Sequence, residues 1–266
     1  MVDCSNETRI QLCGRLVVKL RGERLEAALP GRQGRLLFAY LASNRHRPLG
    51  RPELTEALWP QGAPAAAETA LGALLSKLRA VLSPEAITGK GAMELLLPEG
   101  AWIDLEAAPE ALHRAQSAIA LEDWSRAWGP SRVALHVTTR EFLSGYEAPW
   151  IDEHRRQLEG IRFQALECVA ASGLGLGGPE LAATERSARA LIEAAPFRES
   201  GYRLLMEALD RRGNVAEALV VYDQLRRLLS EELGIAPGEA TQEIYKRLLT
   251  GEAGDVRSAR GTSRPF

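Results

Sequence analysis

The chain has 266 residues, of which 45% are hydrophobic and 26% are charged, with 24 glycines and 14 prolines. This composition is close to the globular average and excludes collagen-like, mucin-like and wholly disordered proteins. No run approaches the roughly 18 apolar residues that a membrane helix needs, and the N-terminus lacks the basic and then apolar block of a secretory signal. Three cysteines without metal-ligand spacing fit a reducing compartment, so we expect a cytoplasmic protein without membrane contacts.

The charge is distributed unevenly along the chain, although the total is only −2. Residues 1–103 carry a net charge of +3, whereas residues 104–250 carry −6. Within residues 9–51, ten basic side chains accompany only two acidic ones. Such a basic segment ahead of an acidic region indicates a part of the chain that binds a polyanion, although an ordinary solvated surface accounts for the charge equally well.

The N-terminal part predicts a small sheet, three helices and a hairpin, in that order. Short apolar runs broken by glycine predict two or three strands over residues 9–29. Helical spacing predicts helices over residues 31–44, 53–59 and 65–82, and residues 87–97 predict a hairpin around Gly89-Lys90-Gly91. Two helices joined by a loop, with a hairpin behind them, make a winged helix-turn-helix whose longer helix can enter a DNA major groove.

The rest of the chain predicts helices alone. Ala, Leu and Glu dominate, and breaks are expected at Gly129-Pro130, Gly145, residues 173–179, Pro196, Gly213 and residues 234–237. Matches between positions 34 apart, such as Leu181 with Val215, suggest a helix-pair repeat of tetratricopeptide (TPR) length. We therefore predict a mainly α protein with a small β component. Its predicted parts are a winged helix-turn-helix DNA-binding domain (1–103), an all-α TPR-like helical-hairpin domain (104–250) and a flexible tail (251–266).

The third predicted helix has an apolar stripe and an opposite face of small side chains. The stripe comprises Leu71, Leu74, Leu75, Leu78, Val81 and Leu82. The opposite face carries Thr69, Ala73, Ser76 and Ala80, and the small size of the first three allows the backbone to approach base edges. Lys77 and Arg79 lie on the flanks, where they would contact phosphates. Small residues also suit a buried helix–helix contact, so this second interpretation stays open.

Three further basic residues complete the predicted DNA-binding set. Lys90 lies at the hairpin tip, from which it could reach a phosphate or the minor groove. Arg35 and Arg51 stand near helix starts, where backbone N–H groups favour anions. Each of the three is also compatible with a solvated surface charge. The full predicted set is Thr69, Ala73, Ser76, Lys77, Arg79, Lys90, Arg35 and Arg51.

Motifs of catalysis and cofactor binding are set aside. Residues 173–178 satisfy the GxGxxG pattern of dinucleotide sites, but a helix and not a strand precedes them, so we interpret them as a flexible loop between helices. The four histidines show no ligand spacing, and no nucleophile elbow is present. We therefore predict no catalytic residues, no cofactor, no metal and no enzyme activity.

The chain resembles the SARP family of antibiotic-regulatory activators. Residues 32–103 are similar to the family's OmpR-type winged helix, above all at 32–37, 53–60 and 75–82. Residues 104–250 are similar to its bacterial transcriptional activator domain, in the motifs Glu141-Phe142-Leu143-Ser144-Gly145, Pro196-Phe197-Arg198-Glu199 and Glu231-Glu232-Leu233-Gly234.

The resemblance implies a cytoplasmic transcription activator that binds direct promoter repeats as a homodimer. It also implies recruitment of RNA polymerase, partly through the loop between the second and third helices, here residues 60–64. Gly72, Ala73 and Leu74 stand where polar residues are common in relatives, so we expect direct base reading to be modest.

Two functions from different classes follow. The first is a sequence-specific transcription regulator with double-stranded promoter DNA and RNA polymerase as partners. The alternative is a TPR-like adaptor that binds another protein and whose winged helix no longer binds DNA. The small, uncharged face of the third helix motivates the alternative.

Overall fold

A computed structural model describes residues 7–251. Apart from Gly251, the predicted tail lies outside these residues. The chain divides into two compact units: the first runs to Ser117 and includes Gly129–Ala165, and the second consists of Ala118–Trp128 and the chain from Leu166 onward. The fold is mainly helical with a small sheet component, as predicted. The domain boundary expected after residue 103 stays a prediction, because the division into units falls elsewhere.

Within residues 7–251, seven short strands lie in the first unit. They are β1 (Arg9–Gln11), β2 (Val17–Leu20), β3 (Glu23–Arg24), β4 (Leu49–Gly50), β5 (Ile87–Thr88), β6 (Ala92–Leu95) and β7 (Trp102–Ile103). One sheet has the order β3-β2-β1-β7, in which β7 is parallel to β1 and the other pairs are antiparallel. The other sheet has the order β4-β6-β5, with both pairs antiparallel. The β5–β6 pairing confirms the predicted hairpin.

Ten α-helices make up most of the described chain. They are α1 (Gly31–Ser43), α2 (Arg51–Leu58), α3 (Ala67–Leu82), α4 (Asp104–Ala120), α5 (Trp124–Thr138), α6 (Pro149–Leu176), α7 (Leu181–Ala194), α8 (Glu199–Arg211), α9 (Val215–Leu233) and α10 (Glu239–Thr250). The three helices predicted before residue 103 begin and end within two residues of α1, α2 and α3. Helix α2 begins two residues earlier than predicted because Pro52 occupies its first turn, where proline is tolerated.

The first unit has one hydrophobic core that includes residues from both sides of position 103. Phe38 on α1 and Leu71 on α3 belong to it, as do Phe142 and Ile151. The indole ring of Trp150 lies edge-on to Tyr40, with 4.9 Å between ring centroids, and its Nε1–H donates to the Ala57 carbonyl at 3.2 Å. The start of α6 is therefore packed against the ends of α1 and α2.

Residues 141–143 also pair with the chain beyond the end of β1. The Gly14 N–H donates to the Glu141 carbonyl at 2.7 Å, and the Leu143 N–H donates to the Leu12 carbonyl at 2.9 Å. Cys13 and Phe142 form an antiparallel bridge between these two bonds. The pairing supplies partners for backbone groups that would otherwise be buried without any.

Asp104, the first residue of α4, closes the same region with a fully buried carboxylate. Its two oxygens accept the Leu12 and Cys13 backbone N–H groups at 2.9 and 2.8 Å. Burial raises the pKa of Asp104, while these two N–H donors and the positive charge of Arg140 oppose that rise. The side chain thus holds the β1 end against the start of α4.

The second unit is helical throughout its described part. Helices α7, α8 and α9 pack in succession, and α10 packs on α8 and α9. Tyr202, Leu205, Leu209 and Leu225 lie in its core. The predicted breaks at Pro196 and Gly213 separate α7 from α8 and α8 from α9, and Gly234 ends α9 in the left-handed conformation that glycine favours.

One predicted break is wrong, and another begins later than predicted. Gly129-Pro130 lies inside α5, which continues because Ala134 and Val137 of its next turns are buried and tertiary packing outweighs one missing N–H. The glycine-rich run does not form a loop from residue 173, since α6 continues to Leu176. A Cβ on Gly175 would lie 2.2 Å from the Trp124 ring. Glycine is therefore required here by close helix packing, and the chain turns only afterwards.

This packing predicts opposite outcomes for two glycines of α6. We expect Gly175→Ala to lower the free energy of unfolding by about 1–3 kcal/mol, because the new methyl group would overlap the Trp124 ring. Gly160→Ala meets no atom within 4 Å and should raise the free energy of unfolding by up to about 1 kcal/mol through helix propensity. Urea denaturation of both variants measures the difference. Equal stabilities would contradict the packing role of Gly175.

A second prediction concerns Asp104. In Asp104→Asn, an amide NH₂ would face one of the two backbone N–H groups, so one buried donor would lose its acceptor. We expect a loss of about 1–3 kcal/mol in the free energy of unfolding, measured by urea denaturation. Asp152→Asn, on the exposed start of α6, is the control and should cost less than about 1 kcal/mol. A cost no larger than that of the control would show that the buried carboxylate does not stabilise the fold.

Candidate nucleic-acid interface

Helix α3 buries one side and exposes the other. Leu71, Leu75 and Leu78 are buried in the core of the first unit, as their spacing predicts. The exposed face of α3, as we call it, consists of Thr69, Ala73, Ser76, Lys77 and Ala80. No described residue of the first unit covers them. The alternative in which the small face packs against another helix is therefore not seen within the described part of the first unit.

The loop that leads into α3 is exposed from Gln61 to Ala66. Ala66, at the N-cap position, provides no side-chain acceptor for the first N–H groups of the helix. The positive end of the helix dipole of α3 therefore lies at this exposed loop, where the Ala67 N–H is bonded to the Pro64 carbonyl at 2.9 Å. Arg51 lies beside this end, since its Nε is 2.8 Å from a Glu68 carboxylate oxygen and its Nη2 is 3.3 Å from the Glu68 carbonyl.

Glu68 is a residue that the sequence analysis missed. It stands in the first turn of α3, where a negative charge is favourable, and it holds the Arg51 guanidinium at the helix start. A Cβ on Gly72 would lie 3.8 Å from Nη2 of Arg51, so the guanidinium lies along the first turns of α3. Glu68 and Arg51 are 17 positions apart in different helices, and no periodicity in the sequence links them.

Arg79 connects α3 to the β5–β6 hairpin. Its side chain is half-buried, its Nε–H donates to the Ile87 carbonyl at 2.8 Å, and Nη2 lies 3.4 Å from the Gly89 carbonyl. Gly89 itself is required by the turn, because it has a φ of +92° and a Cβ there would lie 1.8 Å from the Ala92 carbonyl oxygen. The structure therefore gives Arg79 a role in positioning the hairpin, and a phosphate contact by this residue stays a prediction.

The other predicted basic residues lie on the surface. Lys77 is on the exposed face of α3, Lys90 is exposed at the hairpin tip between β5 and β6, and Arg35 is exposed on α1. A shallow groove runs beside the exposed face of α3 and is lined by Ala28, Pro30, Gly31, Leu74, Lys77, Ala80 and Val81. The structure thus places lysines both on α3 and on the adjacent hairpin.

The basic segment 9–51 is less positive than its composition indicates. Five of its ten cations form ion pairs: Lys19 with Glu7, Arg24 with Glu26, Arg45 with Glu106, Arg47 with Glu53 and Arg51 with Glu68. Two more lie over aromatic rings, Arg9 over Trp102 and Arg32 over Tyr146. Much of the positive charge is therefore used inside the first unit.

The Arg47–Glu53 pair includes a third group, the phenol of Tyr40. The Tyr40 hydroxyl donates to Glu53 Oε1 at 2.8 Å. Burial and the neighbouring carboxylate raise the pKa of Tyr40 to about 12, while the hydrogen bonds from Arg47 and Tyr40 hold the pKa of Glu53 below its usual range despite partial desolvation. This network fixes the turn between α1 and α2, and it is structural.

Two further observations concern the described chain as a whole. Nowhere in residues 7–251 do three or more His, Cys, Asp or Glu side chains come together in a way that could hold a metal ion. Over the same residues, no helix is long and apolar enough to cross a membrane.

The fold and the motifs agree with known regulators. The solved structure described as Mycobacterium tuberculosis EmbR in complex with low affinity phosphopeptide has the same fold, with a TM-score of 0.77 and 20% identity over 94% of this chain and 66% of that chain. Residues 103–249 match the bacterial transcriptional activator domain. Because this match covers more than half of the chain, the chain belongs to that family, and the SARP-type resemblance is confirmed.

Curated relatives carry regulatory names. The chain is 35% identical over 253 residues to the regulatory protein AfsR of Streptomyces coelicolor, a match that covers 92% of this chain and 25% of AfsR. It is 24% identical over 260 residues to the transcriptional regulatory protein EmbR of Mycobacterium tuberculosis, covering 95% of this chain and 66% of EmbR. The chain thus spans about a quarter of the length of AfsR and about two thirds of that of EmbR.

The geometry of Arg79 leads to a prediction about the hairpin. In Arg79→Gln the hydrogen bonds to the Ile87 and Gly89 carbonyls are lost, so we expect about 1–2 kcal/mol less stability and faster amide hydrogen exchange in residues 87–95. Lys77→Gln changes an exposed neighbour on the same helix. It should alter the free energy of unfolding by no more than about 0.5 kcal/mol and leave hydrogen exchange in residues 87–95 unchanged. Unchanged exchange in the hairpin of Arg79→Gln would show that Arg79 does not hold it.

Proposed function

We propose that the chain is a DNA-binding transcription regulator, an activator that binds promoter DNA through a winged helix-turn-helix. The observation that carries the proposal is the exposed face of α3, with small side chains at its centre and Lys77 at its edge, next to a hairpin that ends in Lys90. In this assignment α2 and α3 are the two helices of the motif, and β5–β6 is the wing.

The dimensions of α3 suit a major groove. Its 16 residues span about 24 Å at 1.5 Å per residue, and a helix fits a groove about 12 Å wide. Thr69, Ala73 and Ser76 follow each other at spacings of four and three, so they lie on one side of the helix. Their small side chains bring the backbone near the base edges, where hydroxyl groups can bond to several bases and methyl groups can contact thymine.

The basic residues would supply affinity more than specificity. Lys77, Lys90 and Arg35 are exposed and can reach phosphates, whereas the charge of Arg51 beside the start of α3 is paired with Glu68. Phosphate contacts set register and strength, and they make binding dependent on salt. With no Arg, Asn or Gln on the exposed face of α3, discrimination between bases would rest on a few weak contacts and on DNA shape.

The family supports the remaining partners. Its members and the named relatives are transcription regulators, so we propose that the chain binds promoter repeats as a homodimer in the bacterial cytoplasm and recruits RNA polymerase. The exposed loop before α3, within residues 60–64, is the proposed contact for polymerase. The helical pairs of the second unit would serve, in the manner of TPR repeats, for dimerisation or partner choice.

A second candidate is an adaptor that binds a protein and not DNA. It is favoured by the ion pairs of the basic segment, because half of the basic side chains in residues 9–51 pair with carboxylates of the same chain and so add little positive charge for DNA. In that case the exposed helices of the second unit would carry the function, and the first unit would be a scaffold.

Titration of DNA fragments selected from a random pool tests both candidates. We expect log Kd to depend linearly on log salt concentration, and Lys77→Ala to weaken binding to every sequence and to reduce the slope by about 1. Thr69→Ala and Ser76→Ala should instead change which sequences are preferred. Lys246→Ala, an exposed lysine on α10, is the control and should leave affinity and slope unchanged.

The adaptor becomes the better explanation if no fragment is bound at low salt. If DNA is bound but Lys77→Ala and Lys246→Ala behave alike, the DNA contacts lie elsewhere than α3, and the assignment of α3 as the recognition helix is wrong.

A further inference from the structure

A pocket of about 330 Å³ that is open to solvent lies in the first unit, between the end of α5 and the middle of α6. Four arginines line it, Arg140, Arg155, Arg156 and Arg162, together with two carboxylates, Glu141 and Glu159. The lining therefore carries an excess of two positive charges. Nothing in the proposed DNA contact uses this pocket.

Two of the four arginines are occupied by the protein itself. Arg155 donates to the Phe142 and Tyr146 carbonyls at 3.1 Å and pairs with Glu141 at 3.0 Å, so it holds the loop after α5 against α6. Arg156 pairs with Glu153 one turn earlier on α6. These two side chains shape the pocket, and Arg155 has little hydrogen-bonding capacity left for a ligand.

The other two arginines lack partners. Nε and Nη2 of Arg140, and Nε of Arg162, are buried and have no hydrogen-bond acceptor within residues 7–251. Neither side chain pairs with a carboxylate of these residues. Arg140 interacts through space with the buried Asp104 carboxylate, whose oxygens are already bonded to the Leu12 and Cys13 N–H groups.

Buried hydrogen-bond donors without acceptors are rare in proteins. Burying a charged guanidinium group without acceptors costs folding free energy. A guanidinium fork matches the oxygens of a phosphate group, and two unpaired arginines match the charge of a dianion. The pocket volume lies at the lower end of the range for small-molecule sites. Glu159 is an exposed residue of the pocket lining. Its negative charge repels a highly charged polyanion more strongly than it repels a small anion.

We infer that this pocket binds a small phosphate-bearing molecule, whose oxygens accept hydrogen bonds from Arg140 and Arg162 once these two side chains turn their buried nitrogens toward it. The site lies directly beside the pairing of residues 141–143 with residues 12–14. Arg140 also contacts this pairing, since a Cβ on Gly14 would lie 3.3 Å from its Cδ. Occupation of the pocket would therefore stabilise the junction between the first sheet and the start of α6.

Pyrophosphate and inorganic phosphate are the probes for this inference. We expect isothermal titration of the full chain to detect binding of both probes, and thermal unfolding to shift upward in either of them but not in sodium chloride of equal ionic strength. Arg140→Gln and Arg162→Gln should each weaken binding by about 10- to 100-fold, the effect of a lost hydrogen bond between charged groups. Arg114→Gln, an exposed arginine of α4 away from the pocket, should bind like the unaltered chain.

Further variants keep the test decisive if Arg140→Gln does not fold. Arg162→Lys retains the charge and loses the fork, so it should bind more tightly than Arg162→Gln and less tightly than the unaltered chain. The inference is overturned if pyrophosphate does not bind, if all variants bind it equally, or if sodium chloride gives the same thermal shift. It is also overturned if a DNA duplex competes with pyrophosphate, because the pocket would then be a contact for the DNA backbone.

Discussion

The pairing between residues 12–14 and 141–143 is the constraint on which the first unit depends. The strand β1 continues into backbone groups that are buried, and each needs a partner. Asp104 accepts two of the N–H groups, and Glu141 and Leu143 provide the remaining bonds. A chain cut after residue 103 would lack all of these partners. The helical segment that follows residue 103 is therefore part of what makes the proposed DNA-binding part stable.

Trp150 shows the same dependence through its side chain. It packs against Tyr40 and Phe142 and donates to the carbonyl of Ala57 at the end of α2. An α2 fixed in this way fixes the start of the loop that leads to α3. Packing in residues 141–151 thus bears on the position of the proposed recognition helix, although none of those residues would touch DNA.

Local patterns predicted the N-terminal elements well, because those elements follow from local rules. The stripe formed by Leu71, Leu75 and Leu78 has the helical period, and Gly89 stands where a tight turn needs a positive φ. The glycines of residues 173–178 carry the same local signal as a loop. Gly175 is nevertheless helical, because it contacts Trp124, some fifty positions away in the sequence and in another helix. A requirement of this kind exists only in three dimensions.

The distribution of unpaired charge on the surface also could not be predicted from the sequence alone. Counting cations in residues 9–51 indicates a basic surface, but Arg45 pairs with Glu106 and Arg51 with Glu68, which lie outside the segment. The cations that remain exposed near α3, Lys77 and Lys90, lie outside the segment too. A net charge therefore describes a stretch of chain, whereas binding depends on which charges are left unpaired on one face.

The arginines of the first unit fall into two groups. In one group the N–H donors are bonded to the protein, and in the other group buried donors have no acceptor, which makes these side chains candidates for binding a ligand. Arg79 and Arg155 donate to backbone carbonyls, so their planar groups act as cross-links between elements that are distant in sequence. Arg140 and Arg162 have buried nitrogens without acceptors, so folding leaves part of their bonding capacity unused. Binding of a ligand can offset the free energy lost by leaving these donors unbonded, and an anion is the ligand that a guanidinium group favours. The four residues have the same chemistry in the sequence, and only their surroundings show which of them are free to act on a ligand.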